Sequence, residues 1–528
     1  MLHLLPVKSV LIAICFLIAI GVSAQVDQAW VDYYDKAKTI KRSEGNFLNG
    51  LEEGVWNHYY PSGNIQEQMH YIEGKLHGSV TAWYENGQIQ NRGYFVYNKP
   101  DSIYEAWFGS GAPKTSGWFQ RGLKTGIWDY YFESGKLHYQ ELWNDTFPKL
   151  TKAFEDNGNQ SLSAGTGTLF RYLNKENIEK TGYRDSLRHG KTIKYYPGGQ
   201  MKEVAGYNQG QLEGYRKIFY ENGNPKFEGL YRSGKLDGEA LTYYLSGKLK
   251  SHGNYQGGLK HGAWEFFAEN GTTYMKGEFD TDRQHGSWTY YYEGTENIES
   301  TGSFNAGKKN GKWQFLYEDG SVWREGYYRS GEKDSLWQTW FENGKLLQKG
   351  AYDAGLETGI WESWFPNGQS KDKGGYRKGL MHGKWEGFYE SGLPNYSGKR
   401  YKGEKHGIWK HWYSNGTLRE KVAYKKGIPS GKWIVYYPDG KTEYTGAYQR
   451  GKKNGEWHYY TEYGLLVRSM NYADDKLHGK CVAYQKGGIP EMEMYYDKGR
   501  PVGTWKIFDK NGQVMKTLRK DSEPDVSK

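Results

Sequence analysis

The sequence predicts an all-β protein: consecutive β-hairpins laid side by side as an elongated, single-layer twisted antiparallel ribbon. Three observations predict it. From about residue 45 to 515 the chain repeats a unit of roughly 24 residues, G-x-[YF]-x-x-G-x-x-x-G-x-W-x-x-Y-Y-x-x-G and then a short polar run. A fixed period of this size marks a linear array rather than a globule. Aromatics recur within each unit with a period-2 preference, which is strand patterning. Each unit also carries an Asn-Gly, Asp-Gly or Ser-Gly pair, suited to a tight hairpin turn. Composition agrees: 48 Tyr, 21 Trp and 72 Gly in 528 residues, with a mean hydropathy of −0.90. Aliphatic residues are too scarce for a thick core, but stacked aromatics can build a thin one.

Residues 1–24 are of a different kind. Lys8 precedes an apolar run, Val10 to Ile20, followed by Gly21-Val22-Ser23-Ala24. This is the layout of a secretory signal peptide, with cleavage expected between Ala24 and Gln25. The run is too short to span a bilayer as an ordinary helix, so no transmembrane span is expected after cleavage. Ile14 before Cys15 does not suit a lipoprotein signal. The mature chain is expected to be exported, to the periplasm, the outer surface or the medium. Cleavage removes Cys15 and leaves Cys481 with no partner for an internal disulfide. The formal net charge of +10 falls by one with Lys8. A mild positive charge permits contact with acidic surfaces without demanding it.

Residues 25–44 are expected to be a short helical or irregular cap or linker. Repeats follow over 45–141 and 169–519. Counting from the last Gly before the Trp as position zero (Gly54, Gly78 and onward to Gly503), the array holds about twenty units. At +2 stands Trp56, Trp128, Trp264, Trp288, Trp313, Trp337, Trp361, Trp385, Trp409, Trp433, Trp457 and Trp505, the expected repeat core. Cys481 occupies the same column and is expected to replace a core Trp. Aromatics also stand at +5, at +6 (Tyr60, Tyr196, Tyr437) and at −7 (Phe47, Tyr231, Tyr448). Residues +1 to +6 are expected to form one strand, with the +2 and +6 rings on one face and +5 on the other. The Asn-Gly pair at +8 and +9 is expected to make a tight turn, and the G-x-x-x-G segment a wider one at the opposite edge. The glycines at −9 and −4 let rings and backbones approach. At ~4.8 Å per strand the ribbon would be on the order of 200 Å long, with stability coming from neighbouring units.

The stretch 142–168 departs from the pattern. It holds Trp143, Phe147, Pro148 and a Ser/Gly-rich piece, read as degenerate repeats, with a hinge or a graft point for a partner as the alternative. Residues 520–528 are expected to be a disordered tail.

The same columns carry the residue types that could support chemistry. His77, His189, His261, His285, His382, His406 and His478 precede the anchor Gly. Ligands of one metal ion need nitrogens within about 4 Å of each other, whereas neighbouring units should stand ~10 Å apart. Asn454, Asp237, Thr358 and Ser430 share that column, so it is expected to be a turn position, not a metal site. Gly165-Thr166-Gly167 lacks the third glycine of a dinucleotide loop, and neither a P-loop nor an H-E-x-x-H motif occurs. Glu221, Glu269 and Glu342 recur in turns facing solvent, whereas paired-carboxylate catalysis needs a concave site. No catalytic residue, cofactor or metal is therefore expected, and the chain is read as non-enzymatic. Lys75, Lys235, Lys308 and Lys452 line one edge, either as a charged edge that blocks sheet-to-sheet pairing or as a strip for an anionic envelope polymer or lipid headgroups. Export argues against nucleic acid.

The motif G-x-[YF]…G-x-x-x-G-x-W-x-x-Y-Y-x-x-[ND]-G resembles the MORN repeat family in its bacterial variant, with Trp where the eukaryotic form has a second Gly. Such arrays are similar to the YwqK family, named as the antitoxin component of a toxin–antitoxin module. The resemblance implies a β-hairpin ribbon that binds a protein, or in some members lipid. The expectation is an exported scaffold that binds a protein partner along one face through exposed members of its aromatic columns. The alternatives are an antitoxin or immunity protein sequestering a cognate toxin, and a binder of envelope glycan or lipid.

Overall fold

The structure is a computed structural model that describes residues 27–144, 147–173 and 176–520. The expected signal segment, with Cys15, Ala24 and Gln25, lies outside the described residues, as do 521–528. Every regular element among the described residues is a β-strand, 43 in all, so the all-β hairpin expectation holds. Among the described residues no helix is long and apolar enough to cross a membrane.

The chain divides into two compact units. The first comprises the described residues to Pro225 with Leu230–Lys235, the second Lys226–Gly229 and the described residues from Leu236. Within each, strands pair antiparallel in chain order. In the first, Lys41–Leu48 pairs with Leu51–Tyr59, which pairs with Ile65–Ile72. In the second, Ile298–Asn305 pairs with Lys308–Leu316, which pairs with Val322–Arg329.

The two turns are the reverse of the sequence expectation. The tight turn is the one that ends at the −4 glycine. Asn49-Gly50 joins its strands with φ of +54° and +79°, a two-residue loop with both residues left-handed, which matches the twist of the flanking strands. The Asn-Gly turn at the other edge is longer. Gly63 N donates to Tyr60 O and Tyr60 N to Asn64 O, both at 2.8 Å, and within this loop only Gly63 has positive φ, +87°. That is a type I turn followed by a bulge glycine. The Asn before the glycine acts through its side chain instead: Asn343 Oδ1 accepts from Lys345 N at 3.0 Å, and Asn367 Oδ1 from Gln369 N at 2.8 Å.

Position zero is a bulge inside the strand. Glu44 faces Asn57 but Asn46 faces Glu53, so the register slips around Gly54. Gly54 and Gly311 have φ of +71° and +77° there, and Ser102 and Ser335 hold the same conformation at +66° and +58°. A bulge of this kind kinks the strand and re-aims the side chains beyond it.

Three terminal or irregular segments complete the fold. The N-terminal segment is not helical: Asp27–Tyr33 is a strand paired with Lys41–Leu48. It covers the edge that the first repeat would otherwise leave unpaired, and Trp30 packs edge-on against Phe47 at 5.8 Å. In the degenerate stretch, Leu137–Trp143, Lys149–Phe154, Gln160–Ser163 and Thr166–Leu173 continue the pairing. Their core is aliphatic, built from Leu150, Ala153, Leu162 and Leu169. The last strand is Val514–Lys520, so Lys520, expected in the tail, is part of it.

Candidate interaction face

One face is closed by a repeated cell, seen in full around Trp313. Its indole lies flat on Gly302 of the partner strand and is 1% exposed. Trp313 Nε1 donates to the Ser303 carbonyl at 3.0 Å. Phe304 at −7 meets the ring edge-on at 5.2 Å. Lys309, at −2, places its ammonium 3.8 Å from the ring centroid. Burial holds the Lys309 pKa below the usual lysine value, and Arg324 adds to the shift. The cation is partly desolvated and attracted by the ring's quadrupole. The bulge at position zero re-aims the strand at the point where the ring and lysine meet. Lys124, Lys260, Lys333, Lys405 and Lys453 repeat the arrangement over their own tryptophans. This −2 lysine column is masked in the sequence, because other units place Leu, Pro or Glu there.

Glycine at −9 decides whether the tryptophan is sealed. Trp56, Trp128, Trp264, Trp288, Trp313, Trp337, Trp361, Trp385, Trp409 and Trp457 lie on Gly45, Gly117, Gly253, Gly277, Gly302, Gly326, Gly350, Gly374, Gly398 and Gly446, and all ten are buried. Trp433 faces Val422 and Trp505 faces Leu518, with Met494 at −9; both rings are only half-buried. Trp433 Nε1 has no hydrogen-bond partner, nor has that of the sealed Trp457, while Trp505 Nε1 donates to the Tyr495 carbonyl at 3.2 Å. Cys481 is fully buried in the same column, and there −9 is Met470. Its Sγ accepts from Asn471 N at 3.4 Å, and burial pushes its thiol pKa up.

The expected pairing of +2 and +6 rings on one face is corrected. The ring that shares the Trp face is at +4: Phe266 stacks on Trp264 at 5.6 Å and Tyr290 on Trp288 at 6.0 Å. The +6 residue opens the turn, and there its hydroxyl ties one unit to the next. Tyr60, Tyr84, Tyr317 and Tyr437 donate to the carbonyls of Trp83, Trp107, Trp340 and Tyr460 at 2.8–2.9 Å. The histidine column is also not in a turn. His77 lies within the strand Lys75–Trp83 and packs edge-on against Tyr97 at 4.8 Å. The positive φ falls on the glycine after it. His261 and His478 instead sit 3.7 and 3.2 Å from Asp280 and Asp497. Among the described residues no group of three or more His, Cys, Asp or Glu gathers to hold a metal.

The ten sealed tryptophans cannot meet a partner, so the opposite face, carrying +1, +3, +5, −8 and −10, is the candidate surface. Its middle row pairs +3 with −10 residues and is largely polar. Glu362 bridges Lys349 and Lys373 at 2.9 and 2.8 Å, and the bonds from Lys373 and Lys349 hold its carboxyl below the usual range. Arg92 meets Glu105 at 2.6 Å. The +1/−8 row alongside is apolar in places. In the first unit Ile103 lies directly opposite Trp118, and Ile127 opposite Leu142. Ile103, Trp118 and Ile127 are 44%, 53% and 51% exposed. In the second unit, the side that carries that unit's own +1, +3 and +5 residues holds a cavity of about 470 Å³ beside Phe388, Pro394, Ile408 and Trp412.

Ten segments match the family described as MORN repeat variant: residues 52–73, 76–97, 188–209, 212–233, 236–256, 309–330, 333–354, 405–426, 429–450 and 501–518. No curated protein matches the chain. Among solved structures, the Tc holotoxin pore of Photorhabdus luminescens is similar at 10% identity and a TM-score of 0.13, over 91% of this chain and 27% of that one. A crystal structure of TcdB2-TccC3 is similar at 11% identity and a TM-score of 0.12, over 93% of this chain and 30% of that one. The chain thus spans less than a third of either, and likenesses this low carry no argument about function.

Proposed function

We propose that this chain, a MORN-repeat protein by its ten matched segments, is an exported, non-enzymatic scaffold that docks a protein partner on its open face. The observation that carries the reading is the patch around Trp118. The other face seals ten of its twelve +2 tryptophans against glycine, yet Trp118 stands half-exposed directly opposite Ile103, with Ile127 on the next strand. A half-exposed Trp flanked by aliphatic residues supplies the anchor type found at interface centres, and contiguous exposed apolar surface marks interaction sites. The antitoxin role implied by the repeat type is a special case, in which the docked protein is a toxin.

The test is affinity capture from the envelope fraction with the mature chain and with Trp118→Ala. A partner retained by the wild type and lost by the variant supports the reading. Equal capture by both, or recovery of glycan or lipid in place of protein, refutes it. Suppression of the captured protein's toxicity by the wild-type chain would make it an antitoxin.

A further inference from the structure

The polar row on the open face follows a charge rule that is broken in one place. In the second unit it sets Glu265 opposite Lys276, Lys349 opposite Glu362, Glu362 opposite Lys373, Lys373 opposite Glu386, and Glu493 opposite Lys506. Opposite charges directly across strands stabilise a sheet and like charges destabilise it. Yet Lys410 lies directly opposite Lys421. Their other neighbours are Ser397 and Ile434, which offer no charge. Among the described pairings this is the only like-charged pair in that row. Lys399 and Lys432 stand on the adjoining strands of the same face. None of the four makes an ion pair, whereas Lys384, opposite Lys399, is bridged to Glu386.

The broken rule coincides with the cavity. Lys410 and Lys421 line the hollow of about 470 Å³, with Phe388, Pro394, Ile408 and Trp412 as its apolar walls. Ile408 and Lys421 also line an adjoining hollow of about 150 Å³ with Lys432 and Ile434. Four lysines on four successive strands span about 14 Å at ~4.8 Å per strand. In an extended peptide, side chains on one face recur every ~7 Å, so two or three carboxylates could meet this strip while apolar side chains fill the hollow.

We propose that this groove binds an extended acidic segment of the partner protein, its carboxylates held by Lys410 and Lys421 and its aromatic or aliphatic side chains seated against Trp412 and Phe388. The site rests on the partner-scaffold reading and deepens it by naming the partner's chemistry at one place. The uncompensated lysine pair costs the sheet stability, which a bound carboxylate would restore. Such a trade of stability for binding is common at functional sites.

The test uses the full mature chain and a fluorescein-labelled peptide of four Glu-Phe repeats, read by anisotropy. Saturable binding is expected, weakened in high salt, absent for the Gln-Phe counterpart, and reduced about tenfold or more by Lys421→Glu. Lys410→Glu is the decisive variant. It sets opposite charges across the strands, so the unfolding midpoint should rise while peptide binding falls. Lys452→Glu, beside the Arg450-Gly451 turn, should change neither. Unchanged binding in Lys410→Glu, a lower unfolding midpoint in that variant, or binding of polygalacturonate in place of the peptide overturns the proposal. If Trp118→Ala abolishes partner capture but Lys410→Glu leaves peptide binding intact, the scaffold reading stands and this site falls. The reverse pattern keeps the site and removes the Trp118 patch.

Discussion

Replacing Gly302 by alanine tests the cell that holds the sheet together. Gly302 does not have positive φ, so alanine fits its backbone. On backbone entropy alone the change should stabilise by about 0.4–1 kcal/mol. The packing says the opposite. A methyl built on Gly302 would stand 2.5 Å from Trp313 Cγ and closer still to Cδ2 and Cε2, where carbon–carbon contacts prefer about 3.5–4.0 Å. The indole must move off by more than an ångström. Overpacking of this kind costs about 1–3 kcal/mol. The move also stretches the 3.0 Å bond from Nε1 to Ser303 O, worth about 1 kcal/mol. It takes the ring away from Lys309 at 3.8 Å, a contact worth about 0.5–2 kcal/mol. A net loss of about 3 kcal/mol is expected, close to the ~3–5 kcal/mol for Trp313→Ala. The two changes should therefore not add, because once the ring is gone the methyl has nothing to strike. Native-state hydrogen exchange of the strands Ile298–Asn305 and Lys308–Leu316 reads the local free energy without assuming that the whole array unfolds at once. Protection in Gly302→Ala equal to or above wild type, or additive losses in the double variant, would refute the reasoning.

Other consequences of the same geometry can be measured directly. Tyr317→Phe should lower stability by about 1 kcal/mol, seen as faster exchange around Trp340, whose carbonyl accepts the Tyr317 hydroxyl at 2.8 Å. Cys481→Trp should destabilise by about 1–3 kcal/mol through overpacking, because Met470 fills the place where other units have glycine; adding Met470→Gly should recover much of the loss in a denaturant melt. Burial pushes the Tyr139 phenol up from 10.0 to about 12, with Arg171 opposing and Glu141 adding to the shift. The neutral form is the one the fold favours, so this contribution is full below pH 10 and is lost as pH rises towards 12. Phenolate absorbance in Tyr139→Phe should therefore lose a component that titrates late in the wild type; loss of an ordinary component would contradict the assignment.

How much was legible in the sequence varies column by column. The +2 tryptophans and the −9 glycines stand out because about two thirds of the units repeat each of them, and glycine as spacing for rings is readable from those columns. Trp433 and Trp505 show the limit. They look like the other ten in sequence, but their −9 positions hold Val422 and Met494, and they are only half-buried. The meaning of +2 therefore depends on a residue in another strand. The turns were misassigned for a related reason. Asn-Gly suits a two-residue hairpin by composition, but the hydrogen bonds count three residues in that loop. The left-handed pair is Asn49-Gly50 and its equivalents, which include Tyr97-Asn98 and Asp185-Ser186 without glycine.

The sequence by itself determined the hairpin, its period and the aromatic column that fills it, because each of these is a local pattern repeated about twenty times. Only the tertiary structure decided what depends on register. The bulge at position zero shifts the strands past each other by an amount no local pattern states. That shift puts Trp313 on Gly302, brings Lys309 over its ring, leaves Trp118 on the open face, and sets Lys410 against Lys421. Side chains alternate between faces at every residue, so where the extra residues are placed decides which columns are sealed and which can meet a partner.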